Sequence, residues 1–129
     1  MDKFRVLVAD DEVDFLETIV KRLQDRNLEV TGVESGEAAL QLIDSQEVDV
    51  VVLDVRMPGL DGIDTLKEIK KKKPLIEVIM LTGHASVESG IQGMQLGAFD
   101  YVMKPVPLDE LLDKMRQAYE RKLLQEGRI

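Results

Sequence analysis

Short runs of Val, Ile and Leu recur along the chain, and between them apolar residues return at three- and four-residue spacing. The runs predict strands over 4–9, 28–33, 48–53, 76–81 and 99–103. VVVL (50–53) and VIML (78–81) lack polar alternation, which predicts strands buried on both faces. The periodic stretches predict helices over 12–26, 36–45, 62–72, 85–96 and 107–124. Phe15, Leu16, Ile19, Val20 and Leu23 share a face of the first, as do Leu108, Leu111, Leu112, Met115 and Tyr119 of the last. Asp61 is placed to cap the third helix, and Pro107 fits the first turn of the fifth. Lysines 70–73 before Pro74 mark the third helix's end and read as its solvated, dipole-complementing turn. Gly90 and Gly93 each weaken the fourth helix by about 1 kcal/mol relative to alanine. They read either as close packing on the sheet or as an element that shifts when its surroundings change. Five βα units in succession imply a parallel sheet with helices on both faces.

Composition narrows the function. The chain has 129 residues, enough for one domain with a full core. It has no cysteine, so disulfides, thiolate metal sites and cysteine nucleophiles are excluded together. Twenty-five acidic and 17 basic residues leave a net charge of -8, which argues against non-specific DNA binding and against anionic membrane surfaces. No apolar run approaches the ~20 residues of a membrane span, and residues 1–9 hold a strand pattern rather than a signal-peptide core. A cytoplasmic location is the expectation.

The chemistry gathers where the apolar runs stop. Asp10 and Asp11 follow the first, Asp54 the third, Thr82-Gly83 the fourth and Lys104-Pro105 the fifth. In a parallel sheet these ends form the crevice where ligands bind. Each residue alone reads as a solvated turn or helix cap; the joint pattern is far more specific. Oxygen-only ligands suit a hard cation such as Mg²⁺, and such a site suits phosphoryl transfer. A carboxylate there can itself be the nucleophile, with Lys104 as a point charge on phosphoryl oxygens. Thr82 offers a hydroxyl, and the region of Gly83 and His84 offers backbone N–H donors.

VLVADDE, VVVLDVRMPGLDG, VIMLTGHA and GAFDYVMKP together resemble the receiver domain of bacterial two-component response regulators, over nearly the full length. The resemblance implies a doubly wound α/β sheet of order 2-1-3-4-5 and one receiver domain over 1–129 with no effector domain. It implies that Asp54 is the phosphoacceptor for a histidine kinase. Asp11 would be a direct ligand of Mg²⁺ (or Mn²⁺), Asp10 a ligand through water, and the Arg56 backbone carbonyl a further ligand. Thr82 would move to the phosphoryl oxygen, Lys104 would pair with it, and Tyr101 would be the aromatic that turns inward. The Lys104-Pro105 bond is often cis in this family. The face formed by helix 4, strand 5 and helix 5 would then change shape to control an output or form a homodimer. DVRMPGLDG and the stretch from Leu81 to Pro105 look similar to receivers of sigma-54-dependent transcription activators, which implies transcription control.

Other readings stand beside these. By spacing alone Tyr101 is an ordinary half-buried strand residue, and His84 a surface or capping residue. Arg56 and His84 are expected to set the rate of dephosphorylation. Met94, Met103 and Met115 read as core filler or a partner surface, and Leu123-Leu124 as an exposed pair. An aspartyl-phosphate phosphatase would need a second acid two residues after its nucleophile, where Arg56 stands. A flavodoxin-like FMN carrier would need a Ser/Thr-rich loop where Asp10-Asp11-Glu12 stands. The leading expectation is a switch that catalyses only its own phosphorylation and dephosphorylation.

Overall fold

In a computed structural model, which describes residues 3–83 and 86–128, the chain alternates strand and helix throughout. The elements are β1 (Arg5–Ala9), α1 (Val13–Asp25), β2 (Glu29–Val33), α2 (Gly36–Ser45), β3 (Val50–Asp54), α3 (Gly62–Lys72), β4 (Glu77–Thr82), α4 (Val87–Gln95), β5 (Asp100–Met103) and α5 (Leu108–Gln125). The strands form one parallel sheet of order β2-β1-β3-β4-β5. The fold expectation holds, and the ends of α2 and α3 fall on the predicted residues. Residue 85, the predicted start of the fourth helix, lies outside the described residues.

Every residue of β3 and β4 is buried, as the unalternating runs predicted. Period-two side chains send alternate residues to opposite faces. Val50 and Val52 join Leu16, Ile19 and Leu23 of α1 and Leu111, Leu112 and Met115 of α5. Val51 and Leu53 join Ala39 and Ile43 of α2 and Ile63, Leu66 and Ile69 of α3. Two hydrophobic layers therefore clamp the sheet and hold its carboxyl ends in fixed register.

Local chemistry ends the helices where expected, with some differences. The Asp61 carboxylate accepts the Asp64 N–H at 2.9 Å, the predicted cap of α3. Pro107 precedes the first residue of α5, and its carbonyl accepts the Leu111 N–H at 3.1 Å. Lys70 is not a freely solvated lysine: it is half-buried and donates to the carbonyls of Ile76 at 2.7 Å and Pro74 at 3.2 Å. The short connection from α3 into buried β4 presents these carbonyls beside the last turn of the helix, where the Lys70 ammonium meets them. Leu123 is buried and Leu124 exposed, so only the second of that pair faces solvent. Met115 is core, whereas Met94 is exposed.

The glycines of α4 are there for packing. A Cβ on Gly93 would stand 3.0 Å from Met80 Cγ, and one on Gly90 would stand 2.7 Å from Thr82 Cγ2 and 3.3 Å from Tyr101 Cγ. The bare backbone at Gly90 thus lets α4 rest directly on Thr82 and Tyr101.

Candidate functional site

The sheet register brings the site residues level. Ala9 pairs with Leu53, so Asp10 stands beside Asp54, the last residue of β3. Asp54 pairs with Leu81 and Thr82 with Met103, so Lys104 projects one step beyond Thr82. Ladder hydrogen bonds carry this order past the strand ends: Asp10 N to Val33 O at 3.1 Å, Val55 N to Leu81 O at 3.0 Å and Lys104 N to Thr82 O at 2.7 Å. The Lys104-Pro105 peptide is cis.

One cation faces several carboxylates. Lys104 Nζ lies 2.7 Å from Glu12 Oε1, 2.8 Å from Asp10 Oδ2 and 3.7 Å from Asp54 Oδ1. Oxygens of Asp10, Glu12 and Asp54 lie within 4.8 Å of one another, a group that could hold a metal ion. Asp10 is fully buried and Asp54 nearly so. Asp10 Oδ1 accepts the Glu12 N–H at 2.9 Å, whereas its Oδ2, despite the nearby ammonium, has no partner with hydrogen-bond geometry among the described residues.

These surroundings set the protonation. Burial pushes the Asp54 carboxyl up to about 7, and the Asp10 charge adds to it. Lys104 and the Arg56 backbone N–H pull the other way without restoring the ordinary value. Burial raises Asp10 as well, against the opposing pull of Lys104. Lys104 responds in the opposite sense: burial would lower it, but Asp10 and Glu12 more than reverse this and hold it charged. Thr82 Oγ1 is buried with no hydrogen-bond partner among the described residues. An orphaned hydroxyl of this kind costs about 1–3 kcal/mol unless something fills its bonding capacity.

The predicted site residues do not all enter the tight cluster. Asp11 and Arg56 are exposed and line an open hollow with Val55 and Asp61. Asp11 is close enough to Asp54 to raise its pKa further, but the third carboxylate of the described cluster is Glu12. The Gly83 N–H is already taken by Ser86 Oγ at 2.9 Å, so it does not offer the donor expected of it. The Ser86 N–H in turn donates to the Gly83 carbonyl at 3.0 Å. His84 lies outside the described residues. Tyr101 is half-buried against Gly90 in α4.

Sequence reading missed Glu12 and Gly62. Glu12 fell at the start of the predicted first helix, yet it is the nearest carboxylate partner of Lys104. Gly62 opens α3 directly behind Asp54: an added Cβ would fall 2.2 Å from the Asp54 carbonyl oxygen and 2.7 Å from Val55 Cα. Gly62→Ala is expected to cost about 1–3 kcal/mol, because it overpacks against backbone that cannot rotate away. Urea unfolding checks this, and a wild-type midpoint would show that α3 can move.

Residues 6–116 match the family model described as the response regulator receiver domain. The chain belongs to the response regulator receiver family. It is 35% identical over 118 residues to the DNA-binding transcriptional regulator NtrC of Escherichia coli K12 and 37% over 117 residues to the transcriptional regulatory protein ZraR of the same strain. Those matches cover 92% and 91% of this chain but only 25% and 26% of the relatives, so the chain spans about a quarter of their length. A receiver domain protein from Clostridium thermocellum superposes with a TM-score of 0.91 at 38% identity, covering 95% of this chain and 98% of the other. NtrX from Brucella abortus gives a TM-score of 0.91 at 32% identity, covering 98% and 29%. As a receiver domain of a two-component response regulator, the chain takes part in phosphorylation-controlled signalling, and such domains generally receive phosphate from histidine kinases. No described helix is long and apolar enough to cross a membrane.

Proposed function

We propose that Asp54 accepts a phosphoryl group from a histidine kinase and that this modification is the signal. A carboxylate oxygen of Asp54 forms a bond to phosphorus as the phosphohistidine P–N bond breaks and the imidazole leaves. Water later cleaves the acyl phosphate and returns the carboxylate. The observation that supports this most is the under-paired chemistry of the edge: buried Asp10 and Asp54 share one ammonium, and buried Thr82 Oγ1 has no partner among the described residues.

An oxygen-only set with crowded negative charge fits a hard divalent cation, Mg²⁺ or Mn²⁺. Asp10, Asp11, Asp54 and the Arg56 carbonyl would hold it. Such a cation would keep Asp54 ionised and offset charge on the transferring group. Lys104 pairs with a phosphoryl oxygen, and the Thr82 hydroxyl gains in a phosphoryl oxygen the partner that no described residue gives it. Thr82 and Tyr101 both abut Gly90, so their movement bears directly on α4. The α4–β5–α5 face, where Ile91 and Met94 are exposed, then controls transcription or a homodimer. The domain is no enzyme towards other substrates: its chemistry is confined to its own phosphoryl group, and Arg56 with His84 sets how long that group lasts. This domain itself contacts neither nucleic acid nor membrane.

Incubation with Mg²⁺ and acetyl phosphate, followed by intact mass measurement, tests the proposal. A labile gain of one phosphoryl in the wild type and none in Asp54→Asn is the expected result. An equal gain in both would move the phosphoacceptor elsewhere, and turnover of added phosphate esters without a phosphorylated protein would make it an enzyme. Unchanged lifetimes in Arg56→Ala and His84→Ala would remove those residues from dephosphorylation.

A further inference from the structure

Glu12 occupies the N-cap of α1, a position whose side chain commonly accepts an N–H of its own helix. It makes no such bond. Its carboxylate, 63% exposed, accepts from Lys104 Nζ at 2.7 Å instead. The same ammonium stands 4.5 Å from the centre of the Phe15 ring, one turn further along α1, in cation–π range. Lys104 is therefore held at the start of α1, and Asp54 is the most distant of its three carboxylate partners, at 3.7 Å.

We propose that Glu12, with Phe15, forms a resting seat for Lys104, keeping the ammonium off Asp54 before phosphorylation and competing with the phosphoryl group for it afterwards. The inference rests on Asp54 being the phosphoacceptor. Glu12 is a positioning residue here: it acts on the reacting group through Lys104. Asp10 also draws Lys104 towards α1, but a divalent cation bound at the cluster would engage Asp10 and share its charge. Glu12 then remains the carboxylate that retains the ammonium. Its exposure makes the seat easy to leave, as a switch between partners requires.

The phosphoryl analogue trifluoroberyllate, titrated in the presence of Mg²⁺, tests the seat in the intact chain. Glu12→Gln should bind the analogue roughly two- to five-fold more tightly than the wild type, the range for loss of one exposed competing ion pair. Glu12→Asp, which keeps the charge on a shorter arm, should lie between them. The gain in Glu12→Gln should shrink as salt is raised, because salt screens an exposed pair. Mg²⁺ affinity measured without the analogue should be equal in Glu12→Gln and wild type. Wild-type affinity for the analogue in Glu12→Gln overturns the proposal. So does weakened Mg²⁺ binding in that variant, which would make Glu12 a metal ligand. If the wild type itself binds no analogue and gains no phosphoryl mass, the phosphoacceptor reading falls first and takes the seat with it.

Discussion

Without a divalent cation, Asp54→Asn will be more stable than the wild type above pH 7, by on the order of 2 kcal/mol, and the difference will vanish near pH 4. Asp54 sits at about 7 in the folded protein against an ordinary value of 3.8. Below 3.8 both folded and unfolded chains carry the proton, and burial of Asp54 brings no ionisation penalty. As pH rises from 3.8 to about 7 the unfolded chain releases its proton while the folded chain retains it, so folding stability falls. Above about 7 both are ionised and the penalty is at its full value. At about 1.4 kcal/mol per pH unit the ceiling is ~4 kcal/mol, and local relaxation brings the expected figure to roughly half. For a domain of this size that is about 5–10 °C in Tm. Urea or thermal unfolding in EDTA at several pH values, wild type against Asp54→Asn, reads the ionisation of Asp54 together with its coupling to Asp10. Parallel pH profiles would show that Asp54 ionises normally. Mg²⁺ should close most of the gap by stabilising the wild type preferentially.

Asp49→Ala should have the opposite sign. Asp49 precedes the other end of β3 and is as buried as Asp54, at 1% and 7% exposure. Burial pushes its carboxyl up, but the Arg5 N–H, Lys122 and the Arg5 guanidinium together bring it below the ordinary value. Those bonds measure 2.9, 3.1 and 3.3 Å. Removing the carboxylate leaves the Arg5 N–H and the nearly buried Lys122 without this partner. The expected cost is about 2–4 kcal/mol, at the lower end for a broken buried pair because Lys122 keeps Glu126 at 2.7 Å. Because the folded value is depressed, the contribution is present above 3.8 and is lost as pH falls through the folded pKa. The deficit of Asp49→Ala should therefore be largest at neutral pH and shrink below about pH 4. Urea midpoints across that range decide it, and a deficit that grows on acidification would contradict the assignment.

The two aspartates show how differently this fold surrounds its buried carboxylates at the two ends of one strand. At the amino ends of the strands, Asp49 is met by Arg5 and Lys122, and buried Glu77 by Arg121 and Lys70. At the carboxyl ends, Asp10, Glu12 and Asp54 share Lys104. Nothing in the spacing of VDVVVLD distinguishes its first aspartate from its last. The partners come from positions 5, 104 and 122, and only the closed sheet brings them near.

Hydrophobic period alone determined the order of strands and helices, because packing on two faces of a sheet demands unalternating runs and helical stripes. The same runs placed Asp10, Asp54, Thr82 and Lys104 at one edge, since each stands where its run ends. The family motifs added the strand order that periodicity leaves open. Tertiary structure decided the rest: that Glu12 joins the cluster while Asp11 faces the open hollow, that the Gly83 N–H already donates to Ser86, and that Gly62 and Gly90 are bare because backbone, Thr82 and Tyr101 lie against them. Those facts depend on side-chain direction and on approach between distant segments. A linear pattern carries neither, because burial and charge pairing exist only once the chain has closed on itself.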